Sequence, residues 1–365
     1  MSFLFAMILQ MLVGTYGEQI YKMKVDSVTF EILGCDTVAV DNASYLALSS
    51  DGKYFYTVSE SGSDSKISSF ENKFPYRRLS CIEGVSMDPC FIVTRDVATD
   101  QGLCTYLMTG DYSGGSISVF PVEEGYVKPA SQVVRFNCSG LDTVRQRSSH
   151  IHQFKSSGKW LFASDLGGDR LHVLKISQES GLHLDPLFDV RTAPGSGPRH
   201  MAINAKGTRL YLLSEVSCEL YVYMLKEDRA GDNIEMRLIQ RLFIGDSDDE
   251  VIANNPLVSG VNTQAGGDIQ LHPNGKYLYA SLRNGADKIA IFELDSNGMA
   301  ARKSSCSTAL HPRNFTILPD GCTMIVPCKN SDLIQFFQID PVSGLMSEMA
   351  EKRISAKCPV LTVIE

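Results

Sequence analysis

The chain has 365 residues, of which 44% are apolar and 21% charged, and its formal net charge is −8. This composition is typical of a soluble globular protein, and an acidic chain without a Lys/Arg cluster is a poor partner for nucleic acid or an anionic membrane. No Pro-rich, Gly/Ser-rich or single-charge stretch divides the sequence, so we predict a single domain over residues 1–365.

The chain begins with an apolar run over residues 3–13. This run resembles the core of a secretory signal, but no Lys or Arg precedes it, and cleavage near Gly14 would remove a strand of the first repeat described below. We therefore predict a buried first strand and a cytoplasmic protein. A secretory signal is the alternative.

A short pattern recurs along the chain: an apolar run, a small or polar step, a polar turn and a second apolar run. Seven copies occupy residues 11–25, 54–70, 104–120, 160–176, 210–225, 277–294 and 323–339. Successive copies begin 43 to 67 residues apart, which is the spacing of four-stranded propeller blades rather than of helix-pair repeats. We predict an all-β fold, a single seven-bladed β-propeller of antiparallel blades.

Most copies follow another apolar run that ends in a glycine turn, as at residues 51–52, 274–275 and 320–321. Asp-Gly and Asn-Gly steps between apolar runs are strong hairpin signals. Each blade is therefore predicted to begin with such a hairpin and to add two further strands. The C-terminal run 358–365 has no hairpin partner and the first copy has no preceding strand, so we predict that the two chain ends close the ring in one blade.

The ten cysteines are scattered, with neither a Cys-x-x-Cys pair nor a zinc-ligand spacing. A core of this size does not need disulfides, so we predict reduced, buried, structural thiols. The sequence has no Gly-x-Ser-x-Gly elbow and no glycine loop that opens a helix to hold a phosphate. We expect no cofactor and no metal; a metal held by His150 and His152 with Asp268 or Glu215 is a lesser alternative.

Ionisable residues recur at two positions of the repeat that share one face of the predicted disc. Just before the first strand of a blade stand His150, His152, Arg199, His200, Asp268 and Arg313. At the end of the second strand stand Glu60, Asp111, Asp165, Glu215, Arg283 and Lys329. Because the innermost strands line the central channel, both sets are predicted to surround one mouth of it.

These residue types favour an acid/base site for a small anionic molecule. Arginine binds carboxylate or phosphate through two parallel hydrogen bonds, and histidine beside a carboxylate transfers protons near neutral pH. A simpler interpretation applies to each residue alone, because loops are polar and an isolated Asp or Lys is commonly a turn or ion-pair residue. Because ionisable residues from several blades are predicted to meet at one mouth, we favour the acid/base site.

Several segments resemble the seven-bladed propeller lactonase family, which contains cycloisomerase-type 6-phosphogluconolactonases and 3-carboxy-cis,cis-muconate lactonizing enzymes. They are GSGPRH (195–200), Ser214 with Glu215, GGDI (266–269), SLRNG (281–285), HPRNF (311–315), DYSGGSISVFPV (111–122), RQRSSHIH (145–152) and SDLGGDRLHV (164–173). The resemblance implies a catalytic set of His150, Arg199, Glu215 and Arg283. Substrate-binding candidates are His152, His200, Asp268 and Arg313. The chain departs from the family at Ser149, Ser164, Ser214 and Leu282.

The leading functional hypothesis is hydrolysis of a sugar-acid lactone, namely 6-phosphogluconolactone, in the carbohydrate metabolism of the pentose phosphate pathway. Either His150 or Glu215 would activate water. The first alternative is a lactonizing cycloisomerase that closes a 3-carboxymuconate, since the same arginines would bind its carboxylates. The second is a non-catalytic propeller that binds proteins through its faces. The segment 246–267 is either a lid over the mouth or a connecting loop.

Overall fold

The computed structural model describes residues 8–99, 102–178, 181–245, 264–353 and 357–365. Within these ranges the chain forms seven antiparallel sheets, which we number as blades 1 to 7. Blade 1 contains β29 (Pro359–Ile364), β1 (Ile8–Thr15), β2 (Gln19–Asp26) and β3 (Ile32–Ala39); blade 2 contains β4 (Tyr45–Leu48), β5 (Tyr54–Ser59), β6 (Lys66–Glu71) and β7 (Arg78–Ile82); blade 3 contains β8 (Pro89–Thr99), β9 (Gly102–Asp111), β10 (Ser116–Glu123), β11 (Tyr126–Val127) and β12 (Gln132–Arg135).

The remaining blades repeat the same arrangement of four strands. Blade 4 contains β13 (Ile151–Ser157), β14 (Trp160–Asp165), β15 (Arg170–Ser177) and β16 (His183–Arg191); blade 5 contains β17 (Pro198–Ile203), β18 (Arg209–Ser214), β19 (Glu219–Glu227) and β20 (Ile234–Phe243); blade 6 contains β21 (Ala265–Leu271), β22 (Tyr277–Arg283), β23 (Lys288–Leu294) and β24 (Ala300–Ser307); blade 7 contains β25 (Thr316–Ile317), β26 (Thr323–Cys328), β27 (Leu333–Ile339) and β28 (Met346–Arg353). Two single 3-10 turns, Gly62–Asp64 and Lys329–Ser331, are the only helical elements in the described ranges. The predicted all-β, seven-bladed propeller is confirmed.

Ring closure occurs in blade 1, as the sequence predicts. The C-terminal strand β29 pairs antiparallel with β1, so that Met11 faces Ile364 and Val13 faces Thr362. The innermost strand of the first blade thus comes from the other end of the chain. This pairing satisfies the backbone hydrogen bonds of a strand edge that would otherwise be open.

The predicted hairpins join the first and second strands of their blades. Gly275, in the turn between β21 and β22, has a φ of 69°, which favours glycine because it has no Cβ. The hydrophobic core lies between neighbouring blades: Phe91 of blade 3 packs edge-on against Phe154 of blade 4, with ring centroids 4.9 Å apart. Each fully buried Phe of this kind contributes roughly 1.5–3 kcal/mol.

None of the ten cysteines is in a disulfide bond, but only Cys90, Cys218 and Cys328 are buried. The expectation of uniformly buried thiols is therefore wrong, because several cysteines lie on outer strands and turns. Among the described residues no helix has the length and apolar character needed to cross a bilayer.

Candidate active site

β-Bulges in the inner strands aim the site residues at the channel. The register against the second strand shifts between Pro89 and Phe91, Ile151 and Gln153, Pro198 and His200, and Gly266 and Ile269. A bulge takes the extra residue out of the ladder and re-aims its side chain. His152, Arg199 and Asp268 therefore lie inside the first strands and not before them, which corrects the predicted strand boundaries.

Glu215 is the centre of a cluster of three arginines. It follows β18 directly, and its Oε2 accepts hydrogen bonds from Arg199 Nε at 2.8 Å and Arg283 Nη2 at 2.5 Å. Its Oε1 accepts one from Arg145 Nη2 at 2.5 Å. Burial alone would raise the pKa of this carboxyl group, but the charges of the three guanidinium groups outweigh burial and hold its pKa far below the usual range.

Backbone carbonyl groups of β21, in blade 6, orient two of these arginines: Arg199 of the neighbouring blade and Arg283 of the same blade. Arg199 Nη1 donates to the carbonyl of Gly267, and Arg283 Nε donates to the carbonyl of Gly266 at 3.3 Å. Arg199 is 1% exposed, whereas the Arg145 side chain is 44% exposed. The bulge of β21 thus fixes the two buried guanidinium groups, while the third one is open to solvent.

A second group of charged and aromatic side chains faces this cluster. Tyr16 donates from its hydroxyl to Glu60 Oε2 at 2.6 Å, and Arg313 and Lys329 lie 5.0 and 4.9 Å from the centroid of its ring. Burial and the neighbouring charge of Arg313 lower the pKa of Lys329. Part of this shift is the electrostatic repulsion between two neighbouring cations.

The net charge of the site follows from these contacts. Its cations are Arg145, Arg199, Arg283, Arg313 and Lys329, and its acidic groups in direct contact with them are Glu60 and Glu215. His311 accepts from Arg283 Nη1 at 3.3 Å, and burial together with the Arg283 charge lowers its pKa to about 3, so it is neutral. The mouth of the channel therefore carries an excess of positive charge and attracts anions.

His150 is held in one tautomer at the edge of this positive region. Its Nδ1 lies 2.8 Å from the backbone carbonyl of Tyr112, to which it can only donate. Its ring stacks on the Tyr112 ring with centroids 4.3 Å apart and an interplanar angle of 4°. Because Nδ1 carries the proton, Nε2 presents a lone pair that can accept a proton from water.

His152, His200 and Asp268 lie deeper, along the axis of the propeller. His200 Nδ1 is 2.7 Å from Asp268 Oδ1, and burial followed by the charge of Arg199 lowers the pKa of His200 to about 4. The Asp268 carboxylate also accepts from Asn314 at 2.8 Å. His152, His200 and Asn314 line a small internal cavity, of which Arg199 also forms part of the wall.

The axial cavity has both apolar and polar walls. Four buried polar atoms on its walls have no hydrogen-bond partner among the described residues: Ser44 Oγ, His152 Nδ1, His200 Nε2 and Asn314 Oδ1. Such a set is typical of a cavity that holds a buried water molecule.

Two members of the predicted column stabilise the fold instead of joining the charged cluster. Asp111 accepts hydrogen bonds from the hydroxyl groups of Thr109, Ser116 and Ser118, each at 2.7 Å. Asp165 is fully buried and accepts from the backbone N–H of His150 at 2.7 Å. As expected for isolated acidic residues, these two carboxylates bind hydroxyl and backbone N–H groups of their own blades.

The structure also brings in residues that the sequence prediction did not name. Arg145 contacts Glu215, Tyr112 supports His150, Tyr16 binds Glu60, and His311 contacts Arg283. Three of the four stand in or beside motifs that carry the resemblance, RQRSSHIH, DYSGGSISVFPV and HPRNF. Tyr16 has no such signal, because only ring closure brings blade 1 beside Arg313.

Comparison with proteins of known sequence gives the following relatives. A 6-phosphogluconolactonase of Formosa agariphila is 27% identical over 329 residues, which cover 87% of this chain and 86% of the relative. A 6-phosphogluconolactonase of Bacillus subtilis is 24% identical, and the match covers 95% of this chain and 96% of that protein.

Comparison with solved structures supports the same fold. A candidate 6-phosphogluconolactonase from Bacteroides fragilis superimposes with a TM-score of 0.83 at 33% identity, covering 100% of this chain and 99% of that one. A periplasmic gluconolactonase of Pseudomonas aeruginosa superimposes with a TM-score of 0.82 at 24% identity, covering 98% of this chain and 99% of that one. At this identity the match shows similarity of fold alone.

The family profile described as "Lactonase, 7-bladed beta-propeller" matches residues 10–364. The predicted family and enzyme class are confirmed by this match, and the names of the relatives agree with the leading functional prediction. The chain belongs to the seven-bladed β-propeller lactonase family.

Proposed function

We propose that the protein hydrolyses 6-phosphogluconolactone to 6-phosphogluconate. The observation that carries the proposal is the cluster of arginines around Glu215, with His150 presenting a free Nε2 at its edge. A phosphorylated lactone is an anion with one electrophilic carbonyl group. It requires both an anion-binding region and a base, and the mouth of this propeller supplies the two together.

The arginines and Lys329 bind the charged end of the substrate and the carbonyl oxygen. Arg145 and Lys329 are the partly exposed cations, and they are suited to hold the phosphate. Arg283 is more buried and is fixed by Glu215, so it is suited to stabilise the oxyanion that forms on the lactone carbonyl. A preorganised donor of this kind contributes roughly 2.7–4 kcal/mol of transition-state stabilisation.

His150 is the general base, and Glu215 is not. The pKa of Glu215 lies far below its usual range, so its carboxylate has little tendency to take a proton from water. His150 Nε2 accepts the proton as the water oxygen bonds to the lactone carbonyl carbon. When the ring C–O bond breaks, the imidazolium returns that proton to the leaving ring oxygen, which becomes a hydroxyl group.

The experiment is a rate measurement with purified protein and freshly generated 6-phosphogluconolactone, with product followed by a coupled dehydrogenase. We expect turnover above the spontaneous rate, its loss in Arg283→Ala, and its retention in Arg77→Ala, which removes an exposed arginine paired with Glu71. Equal rates with and without protein would refute the proposal. Consumption of 3-carboxymuconate would instead identify the cycloisomerase.

The place of action is part of the same proposal. The prediction of a cytoplasmic enzyme that acts on a small anionic lactone or carboxylate fits hydrolysis of a sugar phosphate lactone. Fractionation of cells that produce the protein tests it: activity in the soluble cell extract is expected, whereas activity in the secreted fraction would support the alternative of a signal at residues 3–13.

A further inference from the structure

A second group of potential ligand atoms lies behind His150. Cys138, Asp165 and His172 place a sulfur, a carboxylate oxygen and an imidazole nitrogen within 4.8 Å of one another. Cys138 belongs to the connection that leads into β13, Asp165 ends β14, and His172 lies on β15. Asp165 and His172 are buried, and Cys138 is half-buried.

Neighbouring groups orient the two buried side chains. His172 Nδ1 lies 2.7 Å from Asp189 Oδ1 and donates to it, so the lone pair of a neutral ring is at Nε2. A carboxylate behind the ring is the usual support of a metal-binding histidine. Asp165 Oδ1 accepts the backbone N–H groups of His150 and Gly168, which turns its Oδ2 toward His172.

The separation of two of these atoms is that of a long hydrogen bond and also that of two ligands of one cation. His172 Nε2 and Asp165 Oδ2 are 3.2 Å apart, whereas a charge-assisted N–H···O contact is about 2.7–2.9 Å. Two ligands at about 2.0–2.1 Å on a tetrahedral zinc lie about 3.3 Å apart. The observed separation is therefore close to that of two zinc ligands.

We propose that Cys138, Asp165 and His172 bind a zinc ion, with a water molecule as the fourth ligand on the half-exposed side of Cys138. On binding, the Cys138 thiol releases its proton to solvent, and the thiolate, the carboxylate and the neutral imidazole donate electron pairs to the metal. Sulfur, nitrogen and carboxylate donors select zinc over magnesium or calcium, which take oxygen ligands. The two negative ligands neutralise the charge of the ion.

The proposed zinc site adjoins the connection that carries Arg145 and His150 to the mouth of the channel. Cys138 begins the connection that carries Arg145 and His150, and its backbone N–H donates to Ser149 Oγ at 2.9 Å. Asp165 holds the backbone N–H of His150 directly. A bound zinc would join this connection to the buried end of blade 4, so it would position both residues without touching the substrate.

The test is metal binding by the full chain after treatment with a chelator. One equivalent of Co²⁺ is expected to give a thiolate-to-metal charge-transfer absorption, and Zn²⁺ is expected to displace it. The Cys138→Ser variant should lose this band, whereas Cys104→Ser should retain it. Cys104 is the matched control because it is also half-buried but lies at the far end of β9.

A second measurement separates metal binding from the integrity of the fold. Zn²⁺ at about 100 times its Kd stabilises a protein by about 2.7 kcal/mol, seen as a higher melting temperature in the wild type and in Cys104→Ser. Asp189→Asn keeps all three ligands and should bind about 10–100-fold more weakly. No cobalt thiolate band in the wild type, or an equal band in Cys138→Ser, would overturn the proposal whatever the lactonase activity.

Discussion

The substitution Glu215→Gln tests the centre of the arginine cluster. It keeps the shape of the side chain and removes the carboxylate charge that pairs directly with Arg199 and Arg283, which are buried. Removing one partner of a buried ion pair costs roughly 3–5 kcal/mol, because the remaining charge stays buried without its counterion. The contact with Arg145 adds little, because that side chain is 44% exposed.

The expected change in melting temperature follows from the size of the chain. With an unfolding entropy of about 2.1 cal/mol/K per residue, a loss of about 3–5 kcal/mol in unfolding free energy lowers the melting temperature of a chain of this size by about 4–6 °C. We expect kcat/KM to fall at least about 100-fold in the same variant, because the arginines lose the carboxylate that orients them. Circular dichroism melting and the coupled lactonase assay measure the two effects.

Glu83→Gln is the matched control. Glu83 also forms an ion pair, with Lys66 at 2.8 Å, but its side chain is 71% exposed. Its loss should leave the melting temperature nearly unchanged, because solvent screens an exposed ion pair. Glu215→Gln could instead have the same melting temperature as Glu83→Gln and the kcat/KM of the wild type. In that case Glu215 does not orient the arginines of the site.

Three further outcomes are expected. His150→Gln should lower kcat by about 100-fold or more while KM changes less than about threefold, because a general base contributes about 10²–10⁴-fold to the rate; an unchanged kcat in a single-turnover assay would remove His150 from catalysis. Arg145→Gln should raise KM more than it lowers kcat, because this exposed guanidinium acts in binding. A lower kcat with an unchanged KM in steady-state kinetics would contradict that role. Stability should fall as the pH drops from about 6.5 to about 4, because the unfolded state protonates His200 over this range whereas burial and the charge of Arg199 hold the folded pKa at about 4. The loss of unfolding free energy amounts to about 3 kcal/mol over this pH range. In His200→Asn, the unfolding free energy measured by urea denaturation should depend less on pH. The same pH dependence in the wild type and the variant would refute this assignment to His200.

The blade repeat was predictable because it depends on local chemistry. A hairpin needs only alternating apolar residues and a turn that accepts a positive φ, and both are visible in the sequence. Arg199, Glu215 and Arg283 were predictable for a related reason: they occupy two recurring positions of the repeat, the first strand and the end of the second, which share one face of the propeller. The structure brings these three side chains into direct contact.

Position within the repeat did not reveal what each acidic residue does. Glu215 and Asp165 occupy equivalent positions, yet the first faces arginines and the second faces His172 and backbone N–H groups. The electrostatic role of each carboxylate depends on side chains from other blades. Arg145 could not be placed from its irregular connection, since such a segment has no periodicity to indicate its direction.

By itself, the sequence determined the fold, the family and the approach of Arg199, Glu215 and Arg283 to one mouth, because repeated short-range patterns encode strands, turns and recurring positions. Only the tertiary structure decided which side chains meet: the bulges that direct His152 and Asp268 to the axis, the closure that brings Tyr16 to Arg313, and the gathering of Cys138, Asp165 and His172. These contacts join residues far apart in the chain. Their geometry depends on how seven blades pack and twist around one axis.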